Sequence, residues 1–345
     1  MTMLNNGELI KNLTEEQKIA LVADIEATAG EAFASIGVPR LERTTVGELN
    51  RVYGGEAAYP DLSCLVNSWN TKLAENVVGD LVKRNGTDKY SLICTPSVAV
   101  KLNPYSAGLS EDPYLNSKFA GAFAAAIENS GGAACVVGLG LSDSDAQYID
   151  RSPNPALLSN VVARPFAAVV KNRAPSAIGV SYSRVKGAYK DVNTALAERM
   201  LKSNALKAVI AENVYEEALR AGLSVPKLLF VGASTSAIRA AVKNYKRMKT
   251  DVERGAVTLG ELEKAIAVGT AISDEILDIA VDKVIDFARA AVRPREQYGS
   301  DPSDGDNDTA RSAPSAAEYG RQFALLTSQE STVLLKNDSG TLPIV

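Results

Sequence analysis

The chain contains no histidine, and that absence removes much nucleophile chemistry at once. Ser-His-Asp and Cys-His systems lack their general base, and histidine zinc sites are excluded as well. What remains is a few polar side chains at the ends of apolar runs. Asp143 and Asp145 follow the run 133–141 and are the one acid pair that reads as sitting at a strand's C-terminal end. Their spacing suits a hard cation held by oxygen ligands, although such pairs more commonly mark a solvated turn. Ser183 and Arg184 follow the run 177–182. Arg184 either faces the mouth formed by the strand ends or pairs with a structural carboxylate. Gly138-Leu139-Gly140 lacks the third glycine and the following helix of a dinucleotide fingerprint. Cys64, Cys94 and Cys135 stand in apolar or small-residue surroundings without metal-ligand spacing. They read as buried thiols of a reducing compartment. No metal and no cofactor are implied, and the basic stretch 243–249 reads as a solvated helix face.

These residues depend on elements that alternate along the chain. Thr14-Glu15-Glu16-Gln17 is a capping box that predicts a helix to about Glu26. Asp112-Pro113 pairs an N-cap with proline at the first helical position and opens a helix to about Glu128. Further helices are predicted over 68–83, 165–172, 196–202, 211–221, 237–249, 259–268 and 274–291. Strands are predicted over 90–94, 133–141, 177–182 and 228–231. The second has no alternation, as expected when both faces are buried. Strands separated by helices indicate βαβ units and a parallel sheet. The length of 345 residues suits a (β/α)₈ barrel, but pattern alone does not separate a barrel from an open doubly wound sheet.

Bulk composition narrows the partners. Hydrophobic residues make up 46% and charged residues 23% of the chain, a soluble globular balance. A net charge of −4 argues against nucleic acid and against an anionic membrane surface. No apolar run reaches the ~20 residues of a membrane span, and residues 1–12 lack a signal-peptide pattern. The expectation is a cytoplasmic protein.

Five segments, taken in order and spacing, carry a resemblance. They are Gly37-Val38-Pro39-Arg40-Leu41, Ser110-Glu111-Asp112-Pro113-Tyr114, Tyr182-Ser183-Arg184, Leu228-Leu229-Phe230-Val231-Gly232 and Val333-Leu334-Leu335-Lys336-Asn337. The chain resembles the N-terminal domain of family 3 glycoside hydrolases, the β-glucosidase type. That resemblance implies a TIM-type (β/α)₈ barrel over 1–293, with irregular or missing elements allowed. It implies a flexible acidic linker over 294–314, then a helix and strand over 315–345 that in the family lead into a second domain.

The resemblance also implies catalytic residues that are not here. The family's nucleophilic Asp aligns with Gly232. Its sugar-binding Lys-His pair aligns with Val137-Gly138, its Asp-Gly with Thr45-Val46, and its Lys-Arg-Asn-Pro with Lys101-Leu102-Asn103-Pro104. The acid/base usually comes from the second domain. Ser110–Tyr114 survives, with Asp112 best explained as a helix cap and Glu111 as a neighbour of the positive helix end. A retaining glycosidase needs two carboxyl groups about 5–5.5 Å apart. The expectation is therefore a pseudoenzyme, with no catalytic residue and a vestigial nucleophile position at Gly232. Its barrel would serve as scaffold or binding module for a protein partner or a second-domain chain. Arg184, Asp143, Asp145 and Ser183 are the ligand-binding candidates. The alternative is a glycosidase with relocated carboxylates or a partner-supplied acid/base.

Overall fold

The computed structural model describes residues 5–342, apart from 54–58, 86–89, 103–107, 141–153, 174, 182–189, 204, 213, 215, 293–315 and 339–341. Six strands form one sheet: β1 (Arg43–Thr45), β2 (Leu92–Cys94), β3 (Ala133–Leu139), β4 (Ala177–Ser181), β5 (Ala208–Glu212) and β6 (Leu228–Val231). They lie in sequence order, and every neighbouring pair is parallel. Strictly sequential parallel order with helical crossovers curls a sheet in one direction, as in a barrel wall. An open doubly wound sheet would reverse its order at a switch point.

The complete eight-stranded barrel is not what the described residues form. They form a curled half-barrel of six strands. Just beyond β6 the chain is tied to the end of the helix Glu15–Ala23, the Ala233 N–H donating to the Ala23 carbonyl at 3.0 Å.

Side-chain alternation divides the core in two. Ile93, Ala134, Val136, Ile178, Val180, Val209, Ala211, Leu228 and Phe230 face outward into the helical layer. Leu92, Cys94, Ala133, Cys135, Ala177, Ala208, Ile210, Leu229 and Val231 face inward. The inner set is mostly small, as a tightly curled wall requires. Val284, Phe287, Ala288 and Ala291 of the helix Asp274–Ala291 join it. Lys207, just before β5, reaches the Ala290 carbonyl at 3.5 Å, so this helix closes the inner face near the strands' N-terminal ends.

Several expectations shift. The helix opened by Thr14 stops at Ala23, because Asp24 turns extended. Residues 211–221, expected as one helix, divide: Ala211 and Glu212 complete β5, and the helix runs Glu216–Gly222. Every residue of Ala208–Ala211 is buried, and sheet burial there outweighs helix propensity. β1, three residues long, has no counterpart among the expected strands. Residues 332–337 form no strand, and Leu335 among them is 91% exposed. The stretch 294–314, expected as a flexible acidic loop, lies outside the described residues. The helix Ala316–Ser331 packs on the helices Cys64–Asn67 and Thr71–Asn85.

Candidate functional site

The C-terminal end of β6 is bare backbone. Gly232 takes φ +63°, and a Cβ built there would meet nothing within 4 Å. Next, Ser234 caps the helix Thr235–Glu253 by accepting the Ala237 N–H at 3.3 Å. This hydroxyl stabilises a helix end, and the opening beside Gly232 is left to other residues.

An acid from the N-terminal segment lies against that opening. Asp24 accepts the Glu26 N–H at 2.9 Å and is also stabilised by the Gly232 backbone N–H. Burial nevertheless pushes its carboxyl above the usual Asp value, because desolvation, helped by the Glu26 charge, outweighs the two N–H groups and the Arg43 cation. Two residues on, Glu26 accepts from Arg43 Nε, and Arg43 Nη1 donates to Glu212. Arg43 opens β1 and Glu212 closes β5, so this ion triad spans strands that are not neighbours. Burial opposes the guanidinium's charge, but Cys94, Glu26 and Glu212 hold Arg43 above its ordinary range. The three side chains remain partly exposed, at 25% for Arg43, 37% for Glu26 and 36% for Glu212. The triad therefore borders solvent above the apolar inner face.

The other aligned positions have structural duties. Gly138 takes φ +107°, and a Cβ there would sit 2.5 Å from Ser97 Oγ and 3.0 Å from the Ala99 nitrogen. Val137 is tied to the same loop, its carbonyl accepting the Val98 N–H at 3.1 Å. Thr45 and Glu48 form a reciprocal cap, each backbone N–H donating to the other's side chain at 3.0 Å, which starts the helix Val46–Tyr53. Asp112 caps the helix Pro113–Asn129 through the Tyr114 N–H at 2.8 Å, the structural role its sequence suggested. Leu102 and Lys101 continue the loop that pairs with Ser110, Lys101 N–H donating to the Ser110 carbonyl at 2.8 Å.

Of the candidates read from sequence, only Gly232 is described. Asp143, Asp145, Ser183 and Arg184 lie outside the described residues. Asp24, Glu26, Arg43 and Glu212 were missed. Glu212 had a usable signal, a carboxylate ending the apolar run 208–211. Arg43 had none, since nothing local distinguishes it from Arg40. Among the described residues no group of three metal-ligating side chains occurs, and no helix is long and apolar enough to cross a membrane. A cleft of about 490 Å³ lies apart from the sheet's inner face, between the helices Thr71–Asn85, Pro113–Asn129 and Ala316–Ser331. It is lined by Lys72, Asp80, Arg84, Asn129, Tyr319 and Phe323.

Comparison with known proteins points one way. A thermostable β-glucosidase B of Acetivibrio thermocellus is 21% identical over 98% of this chain and 43% of its own length. An exo-α-(1→6)-L-arabinopyranosidase of Bifidobacterium breve is 26% identical over 56% of this chain and 28% of its own. The chain thus spans less than half the length of these curated relatives. A solved β-glucosidase from Bifidobacterium adolescentis, of glycoside hydrolase family 3, aligns with a TM-score of 0.63 at 20% identity. It covers 97% of this chain and 46% of that one. No model of a protein family matches the chain. The likeness is to family 3 β-glucosidases, at low identity, over their N-terminal region, and the half-barrel agrees with that region's fold.

Proposed function

We propose that this chain is a non-hydrolysing relative of the family 3 glycosidases, its barrel kept as a scaffold or binding module. The observation that carries this reading is the pair of glycines at the ends of β3 and β6. Gly138 occupies a place where no side chain fits, and Gly232 presents only backbone where the resemblance implies a nucleophile. The nearby carboxylates are engaged: Glu26 and Glu212 by Arg43, Asp24 by backbone N–H groups. A pyranoside site works through charge-assisted hydrogen bonds, and the groups that would supply them here are tied to each other.

One observation favours the second reading, a glycosidase with relocated acids. Asp24 sits on the Gly232 amide with its carboxyl shifted upward, and a raised carboxyl is what general-acid catalysis uses. A single assay separates the readings. Purified protein is incubated with aryl α- and β-glycosides, including arabinopyranosides and N-acetylhexosaminides. The expected result is no turnover above the buffer rate. Turnover lost in Asp24→Asn, Asp143→Asn or Asp145→Asn would establish relocated catalysis and end the first reading. In the same preparation, millimolar glucose should leave the melting temperature unchanged, since a ligand raises it only by binding the folded state.

A further inference from the structure

Two of the three cysteines meet inside the curled sheet. Cys94 on β2 and Cys135 on β3 are register partners in parallel strands. Both side chains belong to the inner face, and each is 1% exposed. Adjacent strands lie about 4.8 Å apart, and a disulfide forms where Cα atoms are about 4.4–6.8 Å apart. Directly opposed cysteines on one face satisfy that reach without a change of register. The neighbouring Cys135 thiol and the Arg43 cation favour the ionised form of Cys94 over the opposing effect of burial and hold it below the ordinary thiol range. The Cys94 sulfur and burial together push Cys135 well above that range. The two sulfurs are thus unlike: Cys94 ionises more readily than an ordinary thiol and Cys135 less readily. Cys64, on the helix Cys64–Asn67, shares neither contact.

We propose that Cys94 and Cys135 are a redox-active dithiol, which a small uncharged peroxide closes to an interstrand disulfide. Access runs past the Arg43 side chain, which touches both solvent and Cys94. With each sulfur only 1% exposed, the reagent proposed is a small one. In the first step the Cys94 thiolate attacks one peroxide oxygen. An S–O bond forms, the O–O bond breaks, and hydroxide leaves, giving Cys94 sulfenic acid. In the second, the Cys135 sulfur attacks the Cys94 sulfur, the S–O bond breaks, and the departing hydroxyl takes the Cys135 proton and leaves as water, while the hydroxide of the first step takes up the proton that Cys94 had released. Overall, two thiols and one peroxide give one disulfide and two waters. The cystine leaves no ionisable sulfur beside Arg43, so oxidation removes one of the groups that interact with the Glu26–Arg43–Glu212 triad.

The test uses the full chain, treated with millimolar hydrogen peroxide, quenched, and digested without reductant. The expected product is a peptide pair joined through Cys94 and Cys135, accompanied by a mass loss of two hydrogens and reversed by dithiothreitol. In Cys135→Ser, oxidation should stop at a Cys94 sulfenic acid that dimedone traps. In Arg43→Met, the rate of Cys94 oxidation should fall at least tenfold. Two results overturn the proposal. One is peroxide-treated wild type in which Cys94 and Cys135 both stay reduced. The other is oxidation that reaches Cys64 first and never yields the Cys94–Cys135 link. The wild-type digest decides the matter even if a variant fails to fold.

Discussion

Gly138 and Gly232 end neighbouring stories differently. Both close an inward-curling strand, both take positive φ, and both align with side chains that the resemblance assigns to a sugar site. At Gly138 the loop Ser97–Ala99 has moved into the space a Cβ would need, at 2.5 Å and 3.0 Å. At Gly232 a Cβ would meet nothing within 4 Å. The two strand ends therefore differ in packing within one sheet. At β3 the neighbouring loop fills the space a side chain would need. At β6 that space is open, and Asp24 lies beside the Gly232 amide.

The largest expected effect tests the closed end. Gly138→Ala combines a disfavoured backbone region with overpacking against a backbone nitrogen, and each is worth about 1–3 kcal/mol. Unfolding in urea should show a loss of about 3 kcal/mol. A loss under 1 kcal/mol would mean that the Ser97–Ala99 loop yields freely and that the two strand ends are alike.

The next effect tests what holds the open end in place. Arg43→Met leaves Glu26 and Glu212 without their shared cation. Solvent reaches all three groups, so the penalty is well below that of a fully buried pair. A loss of about 1–2 kcal/mol is expected, and it should shrink in Glu26→Gln/Glu212→Gln, where the facing charges are gone. An Arg43→Met loss that the double background leaves undiminished would show that the triad contributes through packing of the arginine stem alone.

How much of this was legible from sequence depends on the range of the interactions. The helix Asp274–Ala291 was read to its ends, because Ser273 caps it and its apolar spacing is local. Pro113 and Asp112 likewise announce the helix Pro113–Asn129 within two residues. β5 was misread. Ala211-Glu212 is followed by helix formers, and only pairing with β4 and β6 makes it a strand. β1 is short enough that its strand character comes wholly from β2. The site was less visible still. Gly232 stood out by what it lacked, but the chain Asp24, Glu26, Arg43, Glu212 is assembled from a helix exit, a short strand and a strand end. No motif at fixed spacing marks it. The family resemblance pointed to Gly232 as a position to examine. It did not say which residues lie beside it.

A pH titration sharpens the contrast at the open end. Asp24 is raised by burial, so the folded state retains its proton to a higher pH than the unfolded chain does. Between the ordinary Asp value near 4 and the raised folded value, the folded state binds more protons, and stability falls as pH rises. Asp24→Asn removes that dependence and keeps an oxygen for the Glu26 N–H. The variant should equal the wild type below about pH 4 and be the more stable protein at pH 7. A wild type that is the more stable one at pH 7 would mean that the ionised carboxylate is favoured there, with the Arg43 charge and the two N–H groups outweighing burial.

The smallest effect comes from refilling the vacancy. Gly232→Asp places a side chain in open space, and Asp tolerates the left-handed region better than most residues. Its backbone penalty is about 1 kcal/mol or less, a fraction of that at Gly138, and the ratio of the two measures how differently the strand ends were remodelled. The new carboxylate would sit near Asp24, and repulsion between them should raise the Asp24 carboxyl further. No glycoside turnover should return, since Gly138 and Thr45 still hold the positions where the sugar contacts would be needed. Turnover restored by this single substitution would show that β3 was never the barrier, and that only the missing nucleophile separates this barrel from hydrolysis.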